Sequence, residues 1–260
     1  MCIFNIRLKI KNKVIFLLFL FCGASLFAQK DSLQIGDRYA DDQLYAIISY
    51  NQMYDQPSGI FRSGFSYGFS AGFMKDVILN KEGTISFAVG AGYGFDFYNH
   101  ELKVEELNRV TFYSEDYTLS SNTFFSHNIE VPFEFRWRTS TANKYQFWRI
   151  YTGVKLLYNF SNRFVFVDAN DLSTSFSNIS GFNKLQYGLT LSAGYDAFNF
   201  HFFYGLSPMY SDGNIAGETI QTKALKFGLV FYFLQQGIGA YLCYETNEKP
   251  EVYLFWSICL

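Results

Sequence analysis

From Tyr67 to Phe233, aromatic or aliphatic residues repeatedly occupy every second position, with small or polar residues between them. The stretches Phe65–Phe73 and Leu225–Phe233 place Phe, Tyr and Leu on one face and Ser, Gly or Lys on the other. Because neighbouring side chains of a β-strand point to opposite faces, a period of two describes strands with one apolar face. An aromatic face opposite small and charged residues is typical of transmembrane β-barrels.

The composition agrees with a membrane location. Among 260 residues there are 31 Phe and 20 Tyr, and the aromatic content of 21% exceeds what a soluble core needs. Charged residues make up 17%, yet the mean hydropathy is only +0.01, because the polar half of each strand offsets the apolar half. The face pattern, rather than the average hydropathy, therefore indicates the environment of the chain.

The alternation divides into eight segments, each long enough to cross a bilayer as a tilted strand. They are Leu44–Met53, Phe65–Ile78, Thr84–Tyr98, Phe124–Arg138, Phe147–Asn159, Leu185–Asp196, Phe198–Ser207 and Ala224–Phe233. Short connections at Asn80–Gly83, Ser140–Gln146 and Ala197 alternate with long polar ones at Asp55–Gly64, Asn99–Thr123, Ser161–Lys184 and Tyr210–Lys223. The sequence thus predicts an all-β fold, an eight-stranded antiparallel up-and-down transmembrane β-barrel with short periplasmic turns and long outer loops.

The first 28 residues have a different character. Arg7, Lys9, Lys11 and Lys13 precede the apolar run Val14–Phe21, and small residues lead to Ala28. We therefore expect a secretory signal peptide at residues 1–28, an N-terminal periplasmic segment at 29–43 and the barrel at 44–234. Removing the signal peptide changes the net charge from −2 to −6, which leaves no basic surface for nucleic acid.

Residues 235–260 extend past the point where the alternation stops. Two apolar runs, Gly237–Tyr244 and Val252–Leu260, flank a polar turn at Glu245–Pro250. They predict either a hairpin appended to eight strands or strands nine and ten of a larger barrel; the shortness of the first run favours the hairpin. Cys243 and Cys259 lie in this extension, but the sequence gives no geometry for a disulfide.

The inward positions of the predicted strands carry ten charged residues, five acids and five bases. They are Asp76, Asp96, Glu130, Glu134, Asp196, Arg136, Arg138, Arg149, Lys155 and Lys226. An eight-stranded barrel barely admits its own side chains, so buried charges must pair. We predict an ion-pair network that fills the lumen; the alternative is a small polar channel or a proton-coupled path.

The strand register decides which of these charges meet. A register that pairs Trp137 with Trp148 would set Glu130 opposite Lys155. A shift by two residues would instead set Glu134 opposite Arg149.

Trp137 and Trp148 lie on the outward positions beside the short turn Ser140–Gln146. Amphipathic rings collect at the headgroup level of a membrane, so these two predict the periplasmic edge of an aromatic girdle. The glycines of Gly90–Gly94 lie within a strand, where they would leave room for large side chains opposite.

Catalytic and metal-binding signatures are weak. The three histidines are His100 beside Glu101 in a surface loop, His127 on the outward face, and His201, which we expect opposite Gly194 as a space-filling residue. No Cys or His pair has metal-ligand spacing, and no glycine loop precedes a helix. We therefore expect no enzymatic activity, no metal and no cofactor.

The segments Asn128–Arg138, Phe147–Lys155 and Lys226–Phe233, in this strand order, resemble the PorT-like outer-membrane β-barrel proteins of gliding and type IX secreting bacteria. The resemblance covers Asp42–Leu234, and its glutamate-proline strand corresponds to Glu130 and Pro132. It implies a non-enzymatic structural or accessory component of the outer membrane, within a protein secretion machine. The expected partners are outer-membrane lipid and secretion or envelope-assembly proteins. The alternative function is a narrow passive or gated pore for small solutes.

Overall fold

A computed structural model describes residues 43–60, 64–80, 83–116, 118–139, 148–195, 198–211, 213–215 and 217–234. Their β-strands, in chain order, are β1 (Gln43–Tyr54), β2 (Tyr67–Ile78), β3 (Ile85–Asn99), β4 (Leu102–Leu107), β5 (Val110–Glu115), β6 (Ser121–Arg138), β7 (Trp148–Val167), β8 (Ser173–Ser177), β9 (Leu185–Tyr195), β10 (Phe198–Gly205), β11 (Asn214–Ile215), β12 (Glu218–Thr219) and β13 (Lys223–Leu234). In these ranges there is no helix long and apolar enough to cross a membrane.

Eight of these strands form a closed antiparallel barrel. The order around the ring is β1, β2, β3, β6, β7, β9, β10 and β13, and β13 pairs with β1 from Gln43↔Leu234 to Tyr54↔Lys223. The predicted eight-stranded barrel is therefore confirmed. Because both edges of every barrel strand are occupied, the ring leaves no place for strands nine and ten. The predicted hairpin and its two cysteines lie outside the described residues, as do the predicted signal peptide and the corner at Ala197.

The predicted strand limits differ most from the observed limits at the loop end, where the strands continue past the predicted membrane span. Strand β7 runs to Val167, eight residues beyond the predicted end at Asn159, and pairs there with β8. Three of the predicted polar loops contain strands: β4 pairs with β5, β8 joins β7, and β11 pairs with β12. The β4–β5 turn is tight, with positive φ at both Asn108 and Arg109, as in a type I′ hairpin.

Both predicted registers between β6 and β7 are wrong. Trp137 pairs with Ile150 and Arg138 with Arg149, because the hairpin closes where the Thr139 amide donates to the Trp148 carbonyl. Relative to the first predicted register, the partners of Asn128–Arg138 move two residues further along β7, and a register break between His127 and Asn128 makes the shift three residues beyond it. Lys155 consequently lies opposite Pro132 rather than Glu130.

The two faces of the barrel follow the alternation. Outward side chains such as Phe65, Phe198 and Phe200 are 70–73% exposed, whereas inward polar and charged side chains are buried. The charges that the sequence assigned to the inward positions thus lie in the lumen wherever the structure describes them.

Candidate functional site

The turn end of the lumen holds a four-residue charge layer made by Asp76 of β2 and Glu134, Arg136 and Arg138 of β6. Asp76 lies 3.0 Å from Nη1 of Arg138 and 3.6 Å from Nη1 of Arg136. Nε of Arg136 donates to Glu134 Oε2 at 3.1 Å. All four side chains are buried, so each charge depends on its partners rather than on water.

Aromatic rings complete this layer. The Arg136 guanidinium lies 4.7 Å from the centroid of the Tyr151 ring, and that of Arg149 lies 5.6 Å from the Tyr232 ring. Cations over buried aromatic faces gain about 2 kcal/mol when desolvated, which helps offset the cost of burying them. Nε of Arg138 also donates to the Gly83 carbonyl at 2.8 Å and so ties β6 to the turn before β3.

The middle of the lumen holds the pair Glu130 and Lys155. Nζ of Lys155 lies 3.0 Å from Glu130 Oε2, and Ser70 donates its hydroxyl to Glu130 Oε1 at 2.9 Å. The two charged residues are diagonal neighbours on β6 and β7, which lets the long lysine reach across the observed register. Gly94 faces Glu130, and a β-carbon there would collide with the carboxylate. The glycine therefore leaves room for a large side chain, as the sequence predicts.

Nearer the loop end, Asp96 of β3 is bound by Lys226 of β13. Nζ of Lys226 contacts both carboxylate oxygens, at 2.7 and 2.6 Å. The side-chain amides of Asn51 and Asn128 donate to the same oxygens at 3.0 and 3.1 Å. Strands β1 and β2 separate β13 from β3 in the ring, so this cluster joins strands that are not neighbours.

Nine of the ten predicted lumen charges lie within the described residues; Asp196 lies outside them. Each of the four acids makes an ion pair with Lys or Arg, and the five bases leave one excess positive charge. Between the layers, Tyr45, Met74, Lys155 and His201 help to line a cavity of about 10 Å³. That is room for about one water molecule.

The expected pairing of His201 with Gly194 is wrong by two residues. It lies opposite Ser192, and Ser192 Oγ is 2.8 Å from its Nδ1, whereas Gly194 lies opposite Asn199. The error follows from the turn between β9 and β10, which pairs Tyr195 with Phe198. His201 is buried, and the bond to Ser192 holds its ring in the lumen.

The long loops fold back over the barrel mouth and close it with a hydrophobic cluster, which we call the lid. Its buried members are Ile60, Tyr98, Leu102, Val104, Phe124, Leu157, Phe164, Ile179, Phe182, Phe203, Met209, Tyr210, Ile215, Ile220 and Ala224. At its centre Phe124 stacks between Tyr98 and Phe164, at centroid distances of 4.7 and 4.8 Å. Sequence reasoning missed the lid, because inward residues of five barrel strands meet residues of separate loops, and the loop residues share no common period.

Polar contacts between loops fasten the lid. Ser180 donates its amide and its hydroxyl to Glu106 Oε2, at 2.6 and 3.0 Å. Ser58 makes the equivalent pair of bonds to Glu218 Oε2, at 3.0 and 2.7 Å. Each carboxylate bridges segments far apart in sequence, so the outer loops hold one another in place.

His100 is not the surface residue that the sequence suggested. It is 3% exposed and lies in the lid, edge-on to Phe124 and Phe164, at centroid distances of 5.5 and 6.1 Å. Neither ring nitrogen has a hydrogen-bond partner in the described structure. Burial therefore lowers the pKa of His100 to about 3 from its ordinary 6.5. The adjacent Tyr210 stays neutral, because burial raises the pKa of its hydroxyl.

Acid should loosen the lid through His100. When the lid opens, the imidazole regains its ordinary pKa, so closure is fully stable above about pH 6.5 and weakens as the pH falls towards 3. At pH 4.5 the free energy of lid closure should be about 3 kcal/mol less favourable than at neutral pH. Hydrogen exchange of the β4–β5 amides at pH 7.5 and 4.5, corrected for intrinsic rates, measures it. His100→Leu should remove the difference, and an equal pH response in both proteins would contradict the assignment.

Aromatic residues mark both ends of the outward face. Trp137 and Trp148, at the turn end, are 42% and 59% exposed. At the loop end, successive rings contact one another across β2, β3, β6 and β7 in what we call the outer belt. Its members are Phe65, Tyr67, Phe95, Phe97, Phe125, His127 and Phe160. The alternation in the sequence already placed most of these residues on the outward face. That they lie at the same height across neighbouring strands is shown only by the observed strand registers.

Within the described part of the chain, no three His, Cys, Asp or Glu side chains are grouped to hold a metal ion. The charged side chains of the lumen bind one another, and these bonds hold strands together and fill the interior.

The comparisons with known proteins identify the family. The family model described as outer membrane protein beta-barrel domain matches residues 27–211, well over half of the chain. No curated protein matches the chain significantly. Among solved structures, Ail, the attachment invasion locus protein of Yersinia pestis, is 12% identical and aligns over 75% of this chain and 99% of its own, with a TM-score of 0.33. On the strength of the family match, the chain belongs to the outer membrane protein beta-barrel domain family and resides in the outer membrane.

Proposed function

We propose that this protein is a non-conducting barrel that serves as a structural or accessory component of the outer membrane. The observation that carries the proposal is the filled lumen. The three ionic clusters occupy the barrel from Asp76 to Asp96, and the lid covers the outer mouth. Burying so many charges and rings is costly unless they are mutually satisfied, and a mutually satisfied interior favours a plug over a path.

The finer proposal is an accessory role in protein secretion of the type IX class. Its support is the resemblance of Asn128–Arg138 and Lys226–Phe233 to the PorT-like barrels. The structure adds a compatible feature: the loops that would meet a partner are built as β-hairpins and held together by Glu106 and Glu218. A preorganised surface loses less conformational entropy on binding than mobile loops do.

Purification from native membranes in mild detergent tests both the structural role and the secretion role. We expect envelope or secretion proteins to co-purify, and we expect the isolated barrel to show no salt-proportional conductance in a planar bilayer. A lone barrel that conducts ions would establish the narrow-pore alternative. Deletion of the protein with unchanged secretion and motility would reject the secretion role while leaving the structural role intact.

A further inference from the structure

One outward polar pair interrupts the apolar wall. The hydroxyl of Tyr93 on β3 lies 2.6 Å from Nδ1 of His127 on β6. We assign the tyrosine as the donor, since a phenol is the stronger acid, and this places the proton of the neutral imidazole on Nε2. The Nε2–H group then remains to donate to another molecule. On a strand face that contacts hydrocarbon, such a donor would be unpaired and energetically costly.

The position of His127 across the membrane explains why a polar side chain is found on the outward face there. Ten residues separate it from Trp137 along β6, a rise of about 33 Å along the strand. At a strand tilt of about 40° this spans about 25 Å across the membrane, the height of the apolar band of outer-membrane barrels. Since Trp137 lies at the turn end, His127 lies at the opposite edge of the band. This edge is the headgroup level of the outer leaflet.

Arg163 lies beside His127 on the same face. Ser161 is the β7 partner of His127, and Arg163 follows two residues further from the membrane, opposite Phe125. Diagonal neighbours on one face of a sheet lie within reach of long side chains. The side chain is exposed, and its guanidinium donates to Ser175 Oγ of β8 at 3.3 Å. Strand β8 lies on the edge of β7 opposite β6, so the guanidinium has to turn away from Ser175 to reach a ligand at His127.

Arg163 differs from other cations near the loop end. Lys103 pairs with Glu105 and Asp116, and Lys223 pairs with Asp55 at 2.8 Å. Among the described residues, no carboxylate makes an ion pair with Arg163. An exposed guanidinium with spare donors, at the diagonal strand position from an imidazole N–H at the headgroup level, is suited to turn and bind a phosphate together with it.

We propose that His127 and Arg163 bind the phosphate of an anionic lipid headgroup in the outer leaflet. A lipid is the expected source of this phosphate, because Ile129, directly below His127, is 47% exposed and offers apolar surface to the acyl chains of the same molecule. Phe160 contacts the His127 ring at a centroid distance of 6.1 Å and borders the site. Tyr93 acts as a positioning residue, since it holds the imidazole with Nε2–H available.

The test uses the full-length protein, refolded in detergent, with phosphatidic acid as the phosphate-monoester probe and phosphatidylcholine as the reference lipid. Native mass spectrometry counts the bound lipids. We expect preferential retention of phosphatidic acid, reduced about tenfold by Arg163→Gln, in line with the loss of a charge-assisted bidentate contact. Tyr93→Phe should give a smaller loss, because it frees the imidazole without removing it.

Arg109→Gln is the matched control. It removes another exposed arginine, but from the β4–β5 turn, so lipid retention should not change. Gel mobility with and without boiling verifies that each barrel is folded. If Arg163→Gln retains phosphatidic acid as well as the wild type, the site is rejected. If inorganic phosphate competes as strongly as the lipid, the acyl chains contribute nothing and the lipid assignment is wrong.

Discussion

Replacing Lys226 with methionine should lower the free energy of unfolding of the barrel by about 3–5 kcal/mol. Among the described residues, Lys226 is the only cation that contacts Asp96. The substitution therefore leaves the Asp96 carboxylate buried, with hydrogen bonds only from the side-chain amides of Asn51 and Asn128. Amide donors stabilise a carboxylate, but they do not neutralise its charge. Urea unfolding in lipid vesicles, followed by tryptophan fluorescence, measures the loss.

Two further variants separate the ion pair from the burial of lysine itself. In the double variant Asp96→Asn with Lys226→Met, no charge is left unpaired, and most of the stability should return. Lys223→Met is the matched control on the same strand. Its partner Asp55 is half exposed, so this change should cost less than about 1 kcal/mol. A Lys226→Met loss no larger than that of Lys223→Met would show that the lumen network contributes nothing to stability.

The alternation predicted the eight strands and their faces because a membrane barrel gives every strand two different environments. Phe133 and Glu134 illustrate this: adjacent in sequence, one meets lipid and the other a buried arginine. Each strand residue therefore alternates between the two environments, and this period of two can be recognised in the sequence without knowing which strands pair.

The contacts inside the lumen could not be predicted in the same way. One of the two predicted registers sets Glu130 directly opposite Lys155, but the hairpin at Thr139 and Trp148 shifts the register and leaves them diagonal. The pair Asp96 and Lys226 joins β3 and β13, which have two other strands between them in the ring, so no strand-to-strand register contains it. Which inward charges meet depends on side-chain length and on the curvature of the closed barrel.

The lid was hidden for a different reason. Its strand residues, such as Phe124, follow the inward period, but its loop residues follow no common period, and the sequence does not show which strand positions the loops cover. His100 looked like a surface residue beside Glu101, yet burial follows from loops that are distant in sequence. Ile60, Phe182 and Ile220 reach the same cluster from three different connections. Such convergence is a tertiary property.

Phe124→Ala should open the lid without unfolding the barrel. Phe124 is fully buried between two stacked rings, and truncating a buried phenylalanine costs about 3–5 kcal/mol. The cost should fall on the loops, because the membrane part of β6, from Asn128 to Arg138, keeps its pairing with β3 and β7. Limited trypsin digestion should then cleave at Lys103 or Arg109 in the β4–β5 hairpin.

Phe125→Ala is the appropriate control for this prediction. Phe125 is the next residue of β6 and points outward, where it contacts Phe95 and Phe97 of the outer belt instead of the lid. Its truncation removes the same atoms from the opposite face, so the hairpin should remain resistant to trypsin. Equal cleavage in both variants would mean that β6 itself is weakened. If Phe124→Ala also loses its heat-modifiable gel mobility, lid and barrel unfold together, and the lid cannot be an independent closure over a stable barrel.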